Sequence, residues 1–241
     1  MIRQVAVFAL ALSSLAYSQG GSRPQLTIHT LVREDIFAGY MLGDMDRFQI
    51  GVGKVDEMLK EDPKNAPALA WKGSSELFLS VRAREAGDAQ SFRTRYAKAR
   101  EYLGKACELA TTDQGVIATA GASYVLLADR LPAAQRKEAL QDGRLLLKKL
   151  EELQKSAVDQ LPVHLKGELL AGLAQAAERL GDREEAKGYL KRIVDTMPGT
   201  PYQARAQKWL DEPETAGKSA IVCQTCHEPG RLKNRLAAAK Q

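Results

Sequence analysis

The sequence predicts an all-α protein built as a stack of antiparallel helix pairs. Three observations carry that prediction. The 241-residue chain is 44% hydrophobic but only 6% aromatic, and Ala, Leu, Lys, Glu and Arg, all favourable in helices, dominate it. Apolar residues recur at helical spacing, with no alternating strand pattern longer than a few residues. Gly-Asp pairs and prolines punctuate the chain at intervals that suit helix–turn–helix units.

The first eighteen residues read as a secretory signal. Arg3 supplies a positive start, Val5 to Leu15 forms an apolar run, and Ala16-Tyr17-Ser18 places small residues at a cleavage site. The run is shorter than the roughly 20 residues needed to span a bilayer. No later segment is apolar enough to cross a membrane, so the expected location is periplasmic or secreted. The net charge of +5 is small and scattered among 30 acidic residues, which argues only weakly for an anionic partner and does not suggest a nucleic-acid binder.

After an N-terminal segment at 19–29, the helical repeats should occupy 30–210. A helix ending at Leu42 meets Gly43-Asp44, and a second helix follows with Phe48, Val52, Val55 and Leu59 on one face. Asn65 stands just before Pro67 as the next helix start. Gly87-Asp88 opens a helix whose stripe is Tyr96, Leu103, Cys107 and Ala110. Cys107 therefore reads as a core residue. Pro132 and Pro162 mark two more helix starts. Gly181-Asp182 repeats the turn of Gly43-Asp44, and Pro198 closes that unit as Pro63 closes the earlier one. Thr200-Pro201 caps a final helix, 201–210, with Tyr202, Ala206, Trp209 and Leu210 on one face. That makes about nine helices, four pairs and a closing helix over the exposed end of the stack.

Leu170, Leu173, Ala174, Ala177, Gly181, Ala186, Leu190 and Pro198 fall where the tetratricopeptide repeat family places its packing and turn residues. The chain resembles that family over about 30–210, most closely in this last repeat. The resemblance implies a helix-pair solenoid. It also implies a concave surface lined by Glu168, Ala171, Gln175, Glu178 and Arg179, able to bind a peptide. The whole plan, an exported repeat domain followed by a terminal C-x-x-C-H, is similar to a group of exported bacterial repeat proteins without an established activity.

Residues 211–222 lose the apolar periodicity and contain Pro and Gly, which reads as a flexible linker. Beyond it, at 223–241, lies the tail that carries Cys223-Gln224-Thr225-Cys226-His227. This is the attachment sequence for c-type haem: two thiols for thioether bonds and an adjacent imidazole for the iron. The expected cofactor is one covalent haem c held by Cys223, Cys226 and His227, with His227 as the metal ligand. Three rival readings stand beside it. A dithiol redox motif usually sits in a βαβ context, which is missing here. A zinc site would need a fourth ligand, from His164, Cys107 or another chain. A plain disulfide is the third.

The fourteen residues after His227 are too few for a self-contained cytochrome fold. The last methionine of the chain is Met197, so no methionine ligand follows the motif. The sixth iron ligand is therefore left among water, His164, His29, Met197 and a group from another protein. His164 by itself reads as a surface or capping residue, and His29 as solvated. A linker of about ten residues reaches at most roughly 35 Å, so the haem could dock beside Trp209, in the concave groove or on a neighbour. No catalytic constellation stands out, and the chain reads as a non-enzyme. The leading expectation is an electron-transfer or haem-presenting accessory protein that docks a protein partner. The alternative is a non-haem scaffold for envelope proteins, with the cysteines in a disulfide.

Overall fold

Ten α-helices and two 3-10 turns make up the regular structure, with no strand among the described residues. The computed structural model describes residues 27–223 together with Asn234. The predicted signal peptide, and Cys226 and His227, lie outside them.

Four helix pairs follow one another: α1 (Ile28–Leu42) with α2 (Met45–Glu61), α3 (Ala66–Glu85) with α4 (Ala89–Leu109), α5 (Gln114–Leu127) with α6 (Ala133–Leu153), and α7 (Val163–Leu180) with α8 (Arg183–Thr196). Then come α9 (Pro201–Asp211) and a four-residue α10 (Pro213–Ala216). The first pair starts at Ile28, two residues before the predicted boundary.

The local signals explain the boundaries. Gly43 and Gly181 both hold left-handed backbone (φ 69° and 89°), where a side chain would be strained. In each turn the following Asp N–H bonds back into the finished helix, Asp44 to the Ala38 carbonyl and Asp182 to that of Ala177. The next helix is then capped. Asp44 accepts from the Arg47 N–H and Asp88 from that of Ser91. Asn65 and Thr200, the two caps expected before Pro67 and Pro201, accept from Ala68 and Gln203. Asp182 departs from the pattern because its carboxylate is turned to Arg144 of α6.

The pairs stack so that α1, α3, α5, α7 and α9 contact one another in succession. This inner row is the apolar one. Helix α5 carries no charged residue and buries Val116, Ile117, Ala120, Gly121 and Tyr124, as a helix enclosed on most sides must. The outer helices α4, α6 and α8 are linked by polar bridges instead: Arg100 to Asp142 at 2.7 Å, Arg144 and Lys148 to Glu185, and Tyr189 to Glu151 at 2.9 Å. Glycines let the rows close up. A Cβ at Gly121 would meet Leu147 at 3.0 Å, and one at Gly172 would meet Leu147 at 2.6 Å.

Among the described residues the apolar side chains form two large hydrophobic clusters and a minor third one around Leu69, Ala106 and Val116. Of the two large ones, the larger runs from α1 to α7, and the smaller is built from α7, α8 and α9 around Leu170, Ile193, Met197, Tyr202 and Trp209. No helix among the described residues is long and apolar enough to cross a membrane.

Candidate functional site

The segment expected to be a flexible linker is instead docked along α7. Ala216, Ile221, Val222 and Cys223 are all buried. The polar side chains of one α7 face hold its backbone in sequence. Arg179 donates to the carbonyls of Ala216 and Ser219, pairs with Asp129 at 2.9 Å, and lies over the Trp209 ring. Gln175, almost fully enclosed, accepts the Ile221 N–H at 2.9 Å and the Val222 N–H at 3.4 Å. Glu168 accepts the Cys223 N–H at 2.7 Å. The prolines and glycine that suggested a linker only interrupt the helix. The apolar side chains of Ile221 and Val222 then find cover in both hydrophobic clusters.

Glu168, Gln175 and Arg179 are three of the five residues, with Ala171 and Glu178, for which the tetratricopeptide resemblance implies a peptide-binding concave face. Here they bind the chain's own segment 216–223, which runs from the C-terminal end of α7 toward its N-terminal end.

That path delivers Cys223 to the N-terminal half of α7. Cys223 has φ 59°, a left-handed conformation that is uncommon for a residue with a side chain. Holding it costs on the order of 1–3 kcal/mol, offset here by the surrounding bonds. Glu168 joins Cys223 to two aromatic groups. Its Oε1 accepts the Tyr202 hydroxyl at 2.5 Å while Oε2 takes the Cys223 N–H. The Tyr202 oxygen lies 3.4 Å from Nδ1 of His164. Gly167 makes room for this, since a Cβ there would sit 2.5 Å from the Tyr202 ring.

Cys223 and His164 both line one cavity of about 330 Å³. Its walls are mainly apolar: Phe37, Trp71, Leu126, Leu147, Leu150 and Leu169. Arg33 and His29 stand on the α1 side. His29 is half-buried, not solvated as expected. Its Nδ1 accepts the Trp71 indole N–H at 2.9 Å, and its Nε2 faces Gly115, where a Cβ would come within 2.5 Å. Burial lowers its pKa below 6.5. Asp113 opposes that shift and Arg33 adds to it. Ser123, at the cavity wall, ends a buried chain of hydroxyls. Because Ser123 donates to the Thr119 carbonyl, Ser74 donates to Ser123 and Tyr40 to Ser74, at 2.6, 2.6 and 2.7 Å.

The other sequence candidates fall elsewhere. Trp209 is a core residue of the smaller cluster, its indole N–H bonded to the Ser219 hydroxyl at 2.8 Å, and it does not line this cavity. Met197 is buried in the same cluster. Cys107 is half-buried against the core, and desolvation raises its thiol pKa. His164 is half-buried at the second position of α7 and is not the cap of that helix. Nothing local in the sequence marks it, because its neighbours Tyr202 and Cys223 come from 38 and 59 positions away. No group of three or more His, Cys, Asp or Glu side chains able to hold a metal ion occurs among the described residues.

Comparison of the chain with protein-family models, with curated proteins and with solved structures finds no match.

Proposed function

We propose that the protein is an exported, tetratricopeptide-like repeat protein that carries one covalent c-type haem and serves as an electron-transfer or haem-presenting accessory. It acts by docking a protein partner in the periplasm or outside the cell, and is a carrier, not an enzyme. The observation that carries this reading is the delivery of Cys223, first residue of the C-x-x-C-H motif, into an apolar cavity by a docked backbone. The succession of helix pairs, the Gly-Asp turns and the capping α9 support the tetratricopeptide part.

The cavity suits the group. A haem has two large apolar faces and two carboxylates. The Phe37, Trp71, Leu126, Leu147 and Leu150 walls cover apolar surface, and Arg33 offers a cation to a carboxylate. At about 330 Å³ the space lies at the low end of small-molecule sites, roughly 300–1,000 Å³. A cavity of that size would cover only part of a haem. Cys223 and Cys226 would hold the group through thioether bonds, and His227 would offer a nitrogen to the iron. When bound, the haem supplies one-electron chemistry at iron.

Expression of the full chain in a host with c-type haem maturation tests this. The expected result is a haemochrome spectrum and haem peroxidase stain that survive denaturation, both lost in Cys223→Ser. A denatured chain without either, with Cys223 and Cys226 joined in a disulfide, supports the scaffold reading instead.

A further inference from the structure

We infer that 219–223 is a strap that undocks from α7 as a unit while the helix pairs stay folded, and that large molecules reach the Cys223 thiol on the released strap. The strap itself stands apart from the haem reading above. Its use as the step that seats a haem rests on that reading.

Burial sets the requirement. Docked Cys223 is 5% exposed, its N–H is tied to Glu168 and its backbone is left-handed. The cavity beside it, about 330 Å³, covers only part of a haem. Neither a whole haem nor a protein that attaches one reaches the thiol in that state. For such chemistry Cys223 must first come out.

The way the strap is held allows this without unfolding the stack. Its backbone bonds go to side chains of the helices: Ser219 to Arg179 at 2.6 Å, Ile221 and Val222 to Gln175, and Cys223 to Glu168 at 2.7 Å. Breaking them removes no backbone bond of α7, which keeps its packing on α5, α6 and α8. Gly217 and Lys218, both exposed, stand just before the strap, and a Cβ at Gly217 would meet nothing within 4 Å. They supply the hinge. The left-handed backbone of Cys223 relaxes on release, which favours opening. Burial of Ile221 and Val222 opposes it and keeps the docked state dominant. Opening therefore costs less than global unfolding. On return, the strap carries what Cys223 bears into the apolar cavity, so attachment comes first and docking second.

The experiment uses the haem-free full chain with Cys107→Ala and Cys226→Ser, which leaves Cys223 as its one thiol. One readout is the rate of Cys223 reaction with a maleimide on a polyethylene glycol chain too bulky for the cavity. The other is hydrogen exchange of α5, each followed in water and in low urea. Cys223 is expected to react at least about 100-fold more slowly than in the denatured chain. Low urea should leave that rate unchanged, because little surface is exposed on opening, while α5 exchange rises. Gln175→Leu leaves two enclosed N–H groups unpaired, and Val222→Ala removes apolar cover. Each should speed the reaction roughly 10–100-fold, still without urea dependence. A rate that climbs with urea as steeply as α5 exchange means that Cys223 opens only with the whole stack, and overturns the strap. A rate equal to that of the denatured chain overturns it too, because the segment is then not docked. In a host with c-type haem maturation, chains with all three cysteines, either unchanged or carrying Gln175→Leu or Val222→Ala, are expected to hold equal haem per chain by haemochrome. Haem lost from both variants but kept by wild type places docking before attachment and overturns the order. A wild type without haemochrome overturns the haem reading, and the order with it, while the urea comparison still decides the strap.

Discussion

Glu168 is a single carboxylate that orders three groups from distant parts of the chain. One oxygen takes the Tyr202 hydroxyl and the other the Cys223 N–H, while Tyr202 in turn faces His164. His29, across the cavity, is fixed differently, by the Trp71 indole and by burial. Its lowered pKa has a consequence for stability. Burial penalises the protonated ring, so the folded state holds His29 neutral where the unfolded chain would already protonate it. The contribution is fully present above the unfolded value of 6.5 and is lost as pH falls below it. Denaturant midpoints of wild type and His29→Gln, compared between about pH 8 and about pH 5, check this. The variant should show the shallower pH dependence, and an identical slope would remove His29 as the source.

Glycine has two opposite uses within the helices. In α3, a Cβ at Gly73 would lie 2.6 Å from Leu103 Cγ and 2.9 Å from the Leu103 backbone nitrogen. In α8, a Cβ at Gly188 would meet nothing within 4 Å. Replacing Gly by Ala inside a helix gains about 1 kcal/mol where space permits. Overpacking costs about 1–3 kcal/mol, and backbone offers less relief than a flexible side chain. Thermal melts should therefore show Gly188→Ala stabilised by about 1 kcal/mol and Gly73→Ala destabilised despite its better propensity. The close contact at Gly73 brings α3 and α4 together, which in turn shapes the Trp71 wall of the cavity. The same element scale shows why 211–222 misled: a broken helical period marks the end of a helix, not the start of disorder. Short extended segments dock through backbone hydrogen bonds, and these leave no periodic trace in side-chain pattern.

Across the whole molecule, the docked segment joins two hydrophobic clusters. Ile221 belongs to the smaller and Val222 to the larger, side by side in sequence. Replacing Ile221 with Ala should cost about 2–5 kcal/mol, and calorimetry should show the whole stack melting earlier in one transition. Two resolved transitions, with only one of them shifted, would mean that the clusters are not coupled through this segment. The coupling also changes how the proposed haem is presented. A tether with a reach of roughly 35 Å would have placed it almost anywhere. The bonds from Arg179, Gln175 and Glu168 bring Cys223 to one place.

The sequence by itself determined the helical class, the four pairs, the closing helix and the caps at Asn65 and Thr200. These are local properties: propensity, a 3.6-residue period, and turn residues whose backbone preferences act within a few positions. It also singled out Cys223, Cys226 and His227 as a chemical unit, because their spacing is itself the signal. Only the tertiary structure decided what surrounds Cys223. His164 is 38 residues from Tyr202 and 59 from Cys223, and the carboxylate between them is an ordinary helical Glu until the stack folds. Its role comes from the packing of α7 against α9 and the returning chain, a long-range arrangement with no local period to read.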